Sequence, residues 1–376
     1  MTLLSGPNIS GNEWKYVKDC LDTAWVSSVG AYVNQFENLL ATFTGTKYGV
    51  ATSNGTSALH ISLILSGVER GDYVIAPNLT FIASLNSIKY TGANPILVDV
   101  DDATWQMDLD LLEEFLSANT RVQNGRCVHT SDDRVIRAIM PVHVLGNMCD
   151  MERLVEITKQ YNIVIVEDAT EALGSYYNGK HSGSFGKMGC FSFNGNKIIT
   201  TGGGGMIVTD NEELARKAKH LTTQAKSDAF EYVHDEVGYN YRLVNVLAAI
   251  GVAQMEQLPG FIIKKKQIDQ WYKEQLSDVG DIKFQYVENS VNANCWLFTL
   301  RTSNQKQLLA ALNEKELQSR PFWVPMSKLK MFTGDMYITK HNRSEKLYEE
   351  CLSIPCSTNI TQSEMEFVAA TIKSCF

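Results

Sequence analysis

The sequence predicts an α/β fold: a large domain built on a mainly parallel seven-stranded sheet between helices, followed by a smaller α+β domain at the C-terminus. Three observations carry this expectation. Short apolar runs alternate with helix-like segments through the first two-thirds of the chain. The rhythm changes in the last third, where strand and helix patterns no longer alternate as βαβ units. The 376 residues are enough to bury two cores. The expected division is 1–250 for the large domain and 251–376 for the small one, with no linker to mark it.

Seven apolar runs read as the strands of the large domain: Tyr48–Thr52, Tyr73–Ala76, Asn94–Asp99, Arg137–Val142, Asn162–Glu167, Cys190–Phe193 and Gly205–Thr209. Between them, Ser57–Ser66, Phe81–Tyr90, Met151–Tyr161 and Glu212–Leu221 have helical spacing. Arg242–Glu256 reads as an amphipathic helix and Phe261–Val279 as a second, polar one. In the last third, Trp296–Arg301 reads as a strand, with helices at Ser303–Lys315 and Arg343–Leu352.

The formal net charge of −8 and pI of about 5.5 argue against nonspecific binding to nucleic acid or an anionic membrane. The first residues carry no basic segment followed by an apolar run, so no signal peptide is expected. No apolar stretch looks long enough to span a bilayer. The eight cysteines are scattered without a CxxC pair or zinc spacing. Reduced thiols in a cytoplasmic protein, with no metal, are the expectation.

Three segments suggest chemistry. Ser53-Asn54-Gly55-Thr56-Ser57 lies between a strand and a helix, where free N–H groups and the helix dipole suit a phosphate. An ordinary N-cap explains the same residues equally well. Ile163–Asp168 is an apolar strand ending in two carboxylates, at the sheet edge where ligands bind in open α/β folds. Asp168 there suits a protonated pyridine nitrogen, or merely a cap. The third segment places Lys197 after Phe191-Ser192-Phe193 and before Ile198-Ile199 and the run Gly202–Gly205. Apolar flanks lower a lysine pKa and free its amine for a Schiff base, whereas most lysines are solvated surface groups. The glycines do not form a dinucleotide fingerprint, because Ile207 occupies the third position. Together the three segments offer a phosphate cradle, a pyridinium partner and a reactive amine, which is what pyridoxal 5′-phosphate requires.

The chain also resembles the DegT/StrS-type sugar aminotransferases, a branch of the aspartate-aminotransferase fold. The resemblance runs through Trp25-Val26-Ser27-Ser28, Ser53 to Leu59, Thr80-Phe81 and Pro141-Val142-His143 with Gly146. It continues through Glu167-Asp168-Ala169, Gly183–Gly186, Phe191–Phe193, Lys197 and Gly238-Tyr239-Asn240-Tyr241-Arg242. It implies that Lys197 holds the cofactor and moves the proton, and that Asp168 pairs with the pyridine nitrogen. Gly55, Thr56, Ser57 and Ser192 would take the phosphate, with Asn240 reaching in from the second subunit of a homodimer. Phe81 would stack on the ring, and Glu171 would stand where many relatives carry Gln or His. The usual Thr-Thr-Gly-Glu-Gly-Gly is here Thr200-Thr201-Gly202-Gly203-Gly204-Gly205, without the carboxylate.

The resemblance further implies L-glutamate as donor and a nucleotide-linked keto-sugar as acceptor. Gln123–Arg137, which looks like an insertion, together with Asp168–Ser175 and Ser319–Met326, is similar to the branch that aminates UDP-4-keto-6-deoxy-N-acetylglucosamine at C4. GDP-perosamine synthesis is the nearest rival, followed by amination of a dTDP-linked keto-sugar. Trp25, His181, Arg242, Arg320 and Trp323 are the candidate substrate contacts.

Overall fold

The computed structural model describes residues 1–228 and 230–376. The seven expected strands form one sheet: β1 (Tyr48–Thr52), β2 (Tyr73–Pro77), β3 (Asn94–Val98), β4 (Val135–Ile139), β5 (Val164–Asp168), β6 (Met188–Ser192) and β7 (Gly205–Thr209). Their order across the sheet is β1-β7-β6-β5-β4-β2-β3. Pairs β6–β5, β5–β4, β4–β2 and β2–β3 are parallel, while β7 runs against both its neighbours. These strands are short and apolar because helices cover both faces, and most of their residues are buried.

Helix α1 (Gly55–Leu65) starts two residues earlier than its spacing suggests, because Asn54 caps it by accepting from the Ser57 amide at 2.8 Å. Helix α2 (Ala83–Tyr90) follows β2. The segment read as an insertion is partly a hairpin, Thr120–Gln123 with Arg126–His129, joined to the start of β4. Its turn is Asn124-Gly125, both with positive φ (51° and 69°), the pair that a tight primed turn demands.

The two helices expected at Arg242–Glu256 and Phe261–Val279 are one, α3 (Asn245–Leu276), with Pro259 inside it. A proline in a helix interior forfeits a backbone hydrogen bond and costs about 3 kcal/mol. Burial on both sides of it, through Met255, Leu258, Phe261, Ile268 and Tyr272, offsets that loss. Residues 250 and 251, the expected boundary, therefore lie in mid-helix. By length and composition α3 could cross a membrane, contrary to the reading of the sequence, but half of its most apolar window is buried inside the protein.

The C-terminal portion has its own core, with Ile268, Tyr272, Phe298, Leu300, Leu308, Leu352 and Val368. Its antiparallel sheet has the order Lys283–Phe284, Thr299–Arg301, Cys351–Ser353, Arg320–Pro321. The helix expected over Arg343–Leu352 ends at Glu350, since its last residues belong to that sheet. One C-terminal strand returns to the large domain: β8 (Met336–Ile338) pairs in parallel with β3.

Candidate active site

A cavity of about 350 Å³ opens at the carboxyl ends of β1, β2, β4, β5 and β6. Its walls include Gly55, Thr56, Phe81, Asp168, Glu171, Ser192, Lys197 and Trp323, so the sequence-distant candidates converge on one place.

Asp168 ends β5 and is buried. Ser84 on α2 donates to its Oδ2 at 2.7 Å, and the Thr170 amide donates to Oδ1 at 3.2 Å. Strand alternation sends its neighbour Glu167 elsewhere. Glu167 is fully buried and accepts from the amides of Gly183, Phe185 and Gly186 at 2.6–2.7 Å, with His143 Nε2 at 3.0 Å. Of the two carboxylates at the strand end, one lines the cavity and the other fastens the turn at Gly183–Gly186.

Lys197 sits in the loop between β6 and β7, its amide bonded to Asn194 O at 3.0 Å. Its Nζ lies 3.7 Å from Glu171 Oε1 and 4.0 Å from the centroid of the Trp296 ring. Burial lowers the Lys197 pKa, and the Glu171 and Asp168 charges oppose that shift. Burial in turn pushes the Glu171 carboxyl up to about 7, against the pull of Lys197 and of the Leu145 amide, which donates to Oε2 at 2.8 Å. A largely desolvated amine and a raised carboxyl stand side by side, a pair suited to moving protons near neutral pH.

The start of α1 faces Ser192. A β-carbon on Gly55 would lie 2.9 Å from Ser192 Cβ and 3.1 Å from Thr170 Cγ2, so glycine leaves the helix terminus open to a ligand. A β-carbon on Gly205 would come 2.4 Å from Asn54 O, so this glycine lets β7 pass tightly under the same corner. Ser57 is different: its amide is taken by Asn54 and its hydroxyl lies 3.2 Å from Ser53 Oγ, away from the cavity. Pyridoxal phosphate fits this donor set. The Gly55–Thr56 terminus with Ser192 would hold the phosphate, Asp168 the pyridine nitrogen, and Lys197 the reactive carbon.

Several candidates lie elsewhere. His181 is buried against Phe43, Tyr176 and Phe191, and its Nε2 accepts from the Gly174 amide at 2.9 Å. Burial drives its pKa down to about 4; it is a packed core histidine rather than a substrate contact. Arg242 is buried too, paired with Glu37 and with Ala51 O at 3.2 Å, and it fixes β1 rather than facing the cavity. Arg320 is exposed, its guanidinium bonded to the carbonyl of Ser319. Trp25 is 56% exposed and Asn240 is exposed, both outside this chain's own cavity.

Cavity residues that were not singled out in the sequence include Ser84, Asn194, Asn196 and Trp296. Ser84 falls in a helix pattern without a marker, and Trp296 reads as the start of an ordinary strand. Among the described residues one group has metal-ligand spacing, His220, Asp235 and Glu236; it is partly exposed and already paired, His220 Nε2 lying 2.7 Å from Asp235.

Residues 7–373 match the model of the DegT/DnrJ/EryC1/StrS aminotransferase family. GDP-perosamine synthase of Escherichia coli O157:H7 is 37% identical over 369 residues, covering 97% of this chain and 96% of the relative. EpsN of Bacillus subtilis (strain 168), described as a pyridoxal phosphate-dependent aminotransferase, is 35% identical, covering 96% and 92%. Among solved structures, Streptococcus pneumoniae Spr1654 in its PMP form, described as a sugar aminotransferase, superposes with a TM-score of 0.89 at 25% identity, covering 100% and 98%. The cofactor expected from the cavity is the one that the description of EpsN names. The chain belongs to the DegT/DnrJ/EryC1/StrS family of aminotransferases, and its cofactor is pyridoxal 5′-phosphate.

Proposed function

We propose that this enzyme transfers the amino group of L-glutamate to C4 of a GDP-linked 4-keto-6-deoxy sugar. The observation that carries the nucleotide is the end-to-end similarity to a GDP-perosamine synthase. It favours GDP over the UDP-linked N-acetylglucosamine derivative expected from Gln123–Arg137 and Ser319–Met326. Of these segments, the first is partly a hairpin at the start of β4, away from the cavity, and the second contributes Trp323 to its wall.

Bound pyridoxal phosphate supplies a carbonyl that condenses with amines and a ring that accepts electrons. The protein's residues do the rest. Lys197 would hold the cofactor through Nζ; once free, the same amine would take the α-proton of the amino donor as base and give a proton back as acid. Asp168, oriented by Ser84, keeps the pyridine nitrogen protonated. Gly55, Thr56 and Ser192 anchor the phosphate, and Phe81, Trp296 and Trp323 shape a largely apolar entrance that limits water. Glu171 Oε1 faces Lys197 Nζ at 3.7 Å, close enough to favour its cationic form.

We further propose a homodimer with shared active sites. Exposure of Trp25 and Asn240 away from their own cavity supports their facing the partner's. The cytoplasm, which keeps thiols reduced, suits the eight free cysteines.

A panel of GDP-, UDP- and dTDP-linked keto-sugars assayed with glutamate tests the substrate. Turnover fastest with the GDP-linked 4-keto sugar is expected; preference for the UDP-linked sugar would overturn the assignment. Addition of pyridoxal phosphate should give a visible absorption band that Lys197→Ala abolishes. A variant that keeps the band would remove Lys197 from its role.

A further inference from the structure

Lys265, on α3, is fully buried, only 2% exposed. Burying an ammonium is costly unless its protons are taken up, and among the described residues no carboxylate lies within ion-pair range of it. Its Nζ donates to two carbonyls, Trp296 O at 2.8 Å and Cys356 O at 2.7 Å. An apolar side chain of the same length would fill the space without that cost, so the ammonium's contribution is the fixing of these two carbonyls.

Trp296 is held at its other end as well. Its indole Nε1 donates to Asn196 O at 2.8 Å, on the residue before Lys197. Asn294 Oδ1 accepts from its amide at 2.9 Å. Backbone and ring are both pinned, and the ring face rests 4.0 Å from Lys197 Nζ. The charges facing Lys197 are Asp168, at the end of β5, and Glu171, in the turn that follows; the indole also lies against the amine.

We propose that Trp296, held in place by Lys265, is the positioning residue of Lys197: its ring seats the amine against Glu171, keeps water from that side and attracts the cationic form. The assignment rests on Lys197 as the attachment residue, which the Lys197→Ala spectrum tests separately.

The experiment titrates wild type, Trp296→Leu, Trp296→Phe, Lys265→Met and the Trp296→Leu/Lys265→Met double variant with pyridoxal phosphate. The visible band gives the dissociation constant and the pH midpoint of the bound chromophore, and thermal melting gives stability. Leucine keeps the site apolar but removes the π face. Trp296→Leu should therefore weaken cofactor binding about tenfold and move the midpoint to lower pH. Trp296→Phe, which retains a ring, should hold the midpoint near that of wild type. Lys265→Met should move both quantities in the direction of Trp296→Leu, and the double variant should be no weaker than Trp296→Leu alone, since both lesions act on one contact. A Lys265→Met protein that melts earlier but binds cofactor with an unchanged constant and midpoint would make Lys265 a purely structural residue. Should Lys265→Met not fold, Trp296→Leu still decides: an unchanged constant and midpoint would overturn the proposal.

Discussion

Glu171 is held between burial and a cation. Burial pushes its carboxyl up to about 7 while Lys197 pulls it down. The native state thus retains a proton that the unfolded chain, with an ordinary Glu near 4.3, releases earlier. The stability this contributes is full below the unfolded value and is lost as pH rises through the folded one. Glu171→Gln should flatten that part of the apoprotein's pH–stability curve; urea titrations at about pH 5 and about pH 8 measure it, and a slope equal to wild type would refute the shift. Asp168→Ala removes the shorter of the Ser84 hydroxyl's acceptors and leaves the ring nitrogen without its partner. It should retain the visible band while losing a hundredfold or more in turnover, roughly the scale of a lost electrostatic partner; single-turnover kinetics with near-normal rates would refute its role. Asp168 was legible as a polar group at an apolar strand's end, and Lys197 as one set between apolar flanks just past a strand. His181 and Arg242 misled because a buried polar side chain satisfied by the fold has the same sequence appearance as one waiting for a substrate. Trp296 was invisible: its approach to Lys197 depends on a contact between distant segments that no local pattern encodes.

At the scale of elements, strand positions were readable and termini were not. Seven apolar runs yielded the seven strands, yet β6 begins two residues before its predicted start, since pairing with β5 and β7 decides where a ladder begins. The Asn124-Gly125 turn was a visible hairpin signal inside a stretch read only as an insertion. Pro259 suggested a break that packing overrode. Gly205 offers a test of how tightly elements set the site. Its β-carbon would meet Asn54 O at 2.4 Å, backbone that cannot swing aside. Gly205→Ala should cost about 2 kcal/mol, the scale of overpacking, and displace the start of α1, weakening the hold on phosphate. Chemical denaturation and a pyridoxal phosphate titration read the two effects; loss of neither would mean that the corner yields.

For the whole molecule, the shared-site dimer makes a prediction that single variants do not. If Asn240 serves its partner's cavity, then subunits carrying Lys197→Ala and subunits carrying Asn240→Ala, each impaired alone, should recover activity when mixed and refolded together. One site of each mixed dimer would then be intact, whereas the other would carry both lesions. Absence of recovery, with mixed dimers confirmed by sedimentation, would place Asn240 in its own subunit's site or in none.

The placement of β8 has a consequence for how the chain reaches its native state. Residues 336–338 complete the edge of a sheet whose neighbouring strand, β3, ends at Val98. During synthesis the β3 edge stays open until residues 336–338, about 240 positions further along the chain, have been made. Parallel pairing over so long a sequence separation is slow, because loop closure must precede any reward from the contact. A nascent chain halted before β8 would present an unpaired parallel edge, the kind of surface that recruits other strands. The large domain therefore cannot finish folding vectorially, N-terminus first; its last seam closes only after part of the smaller domain, through residue 338, has been made.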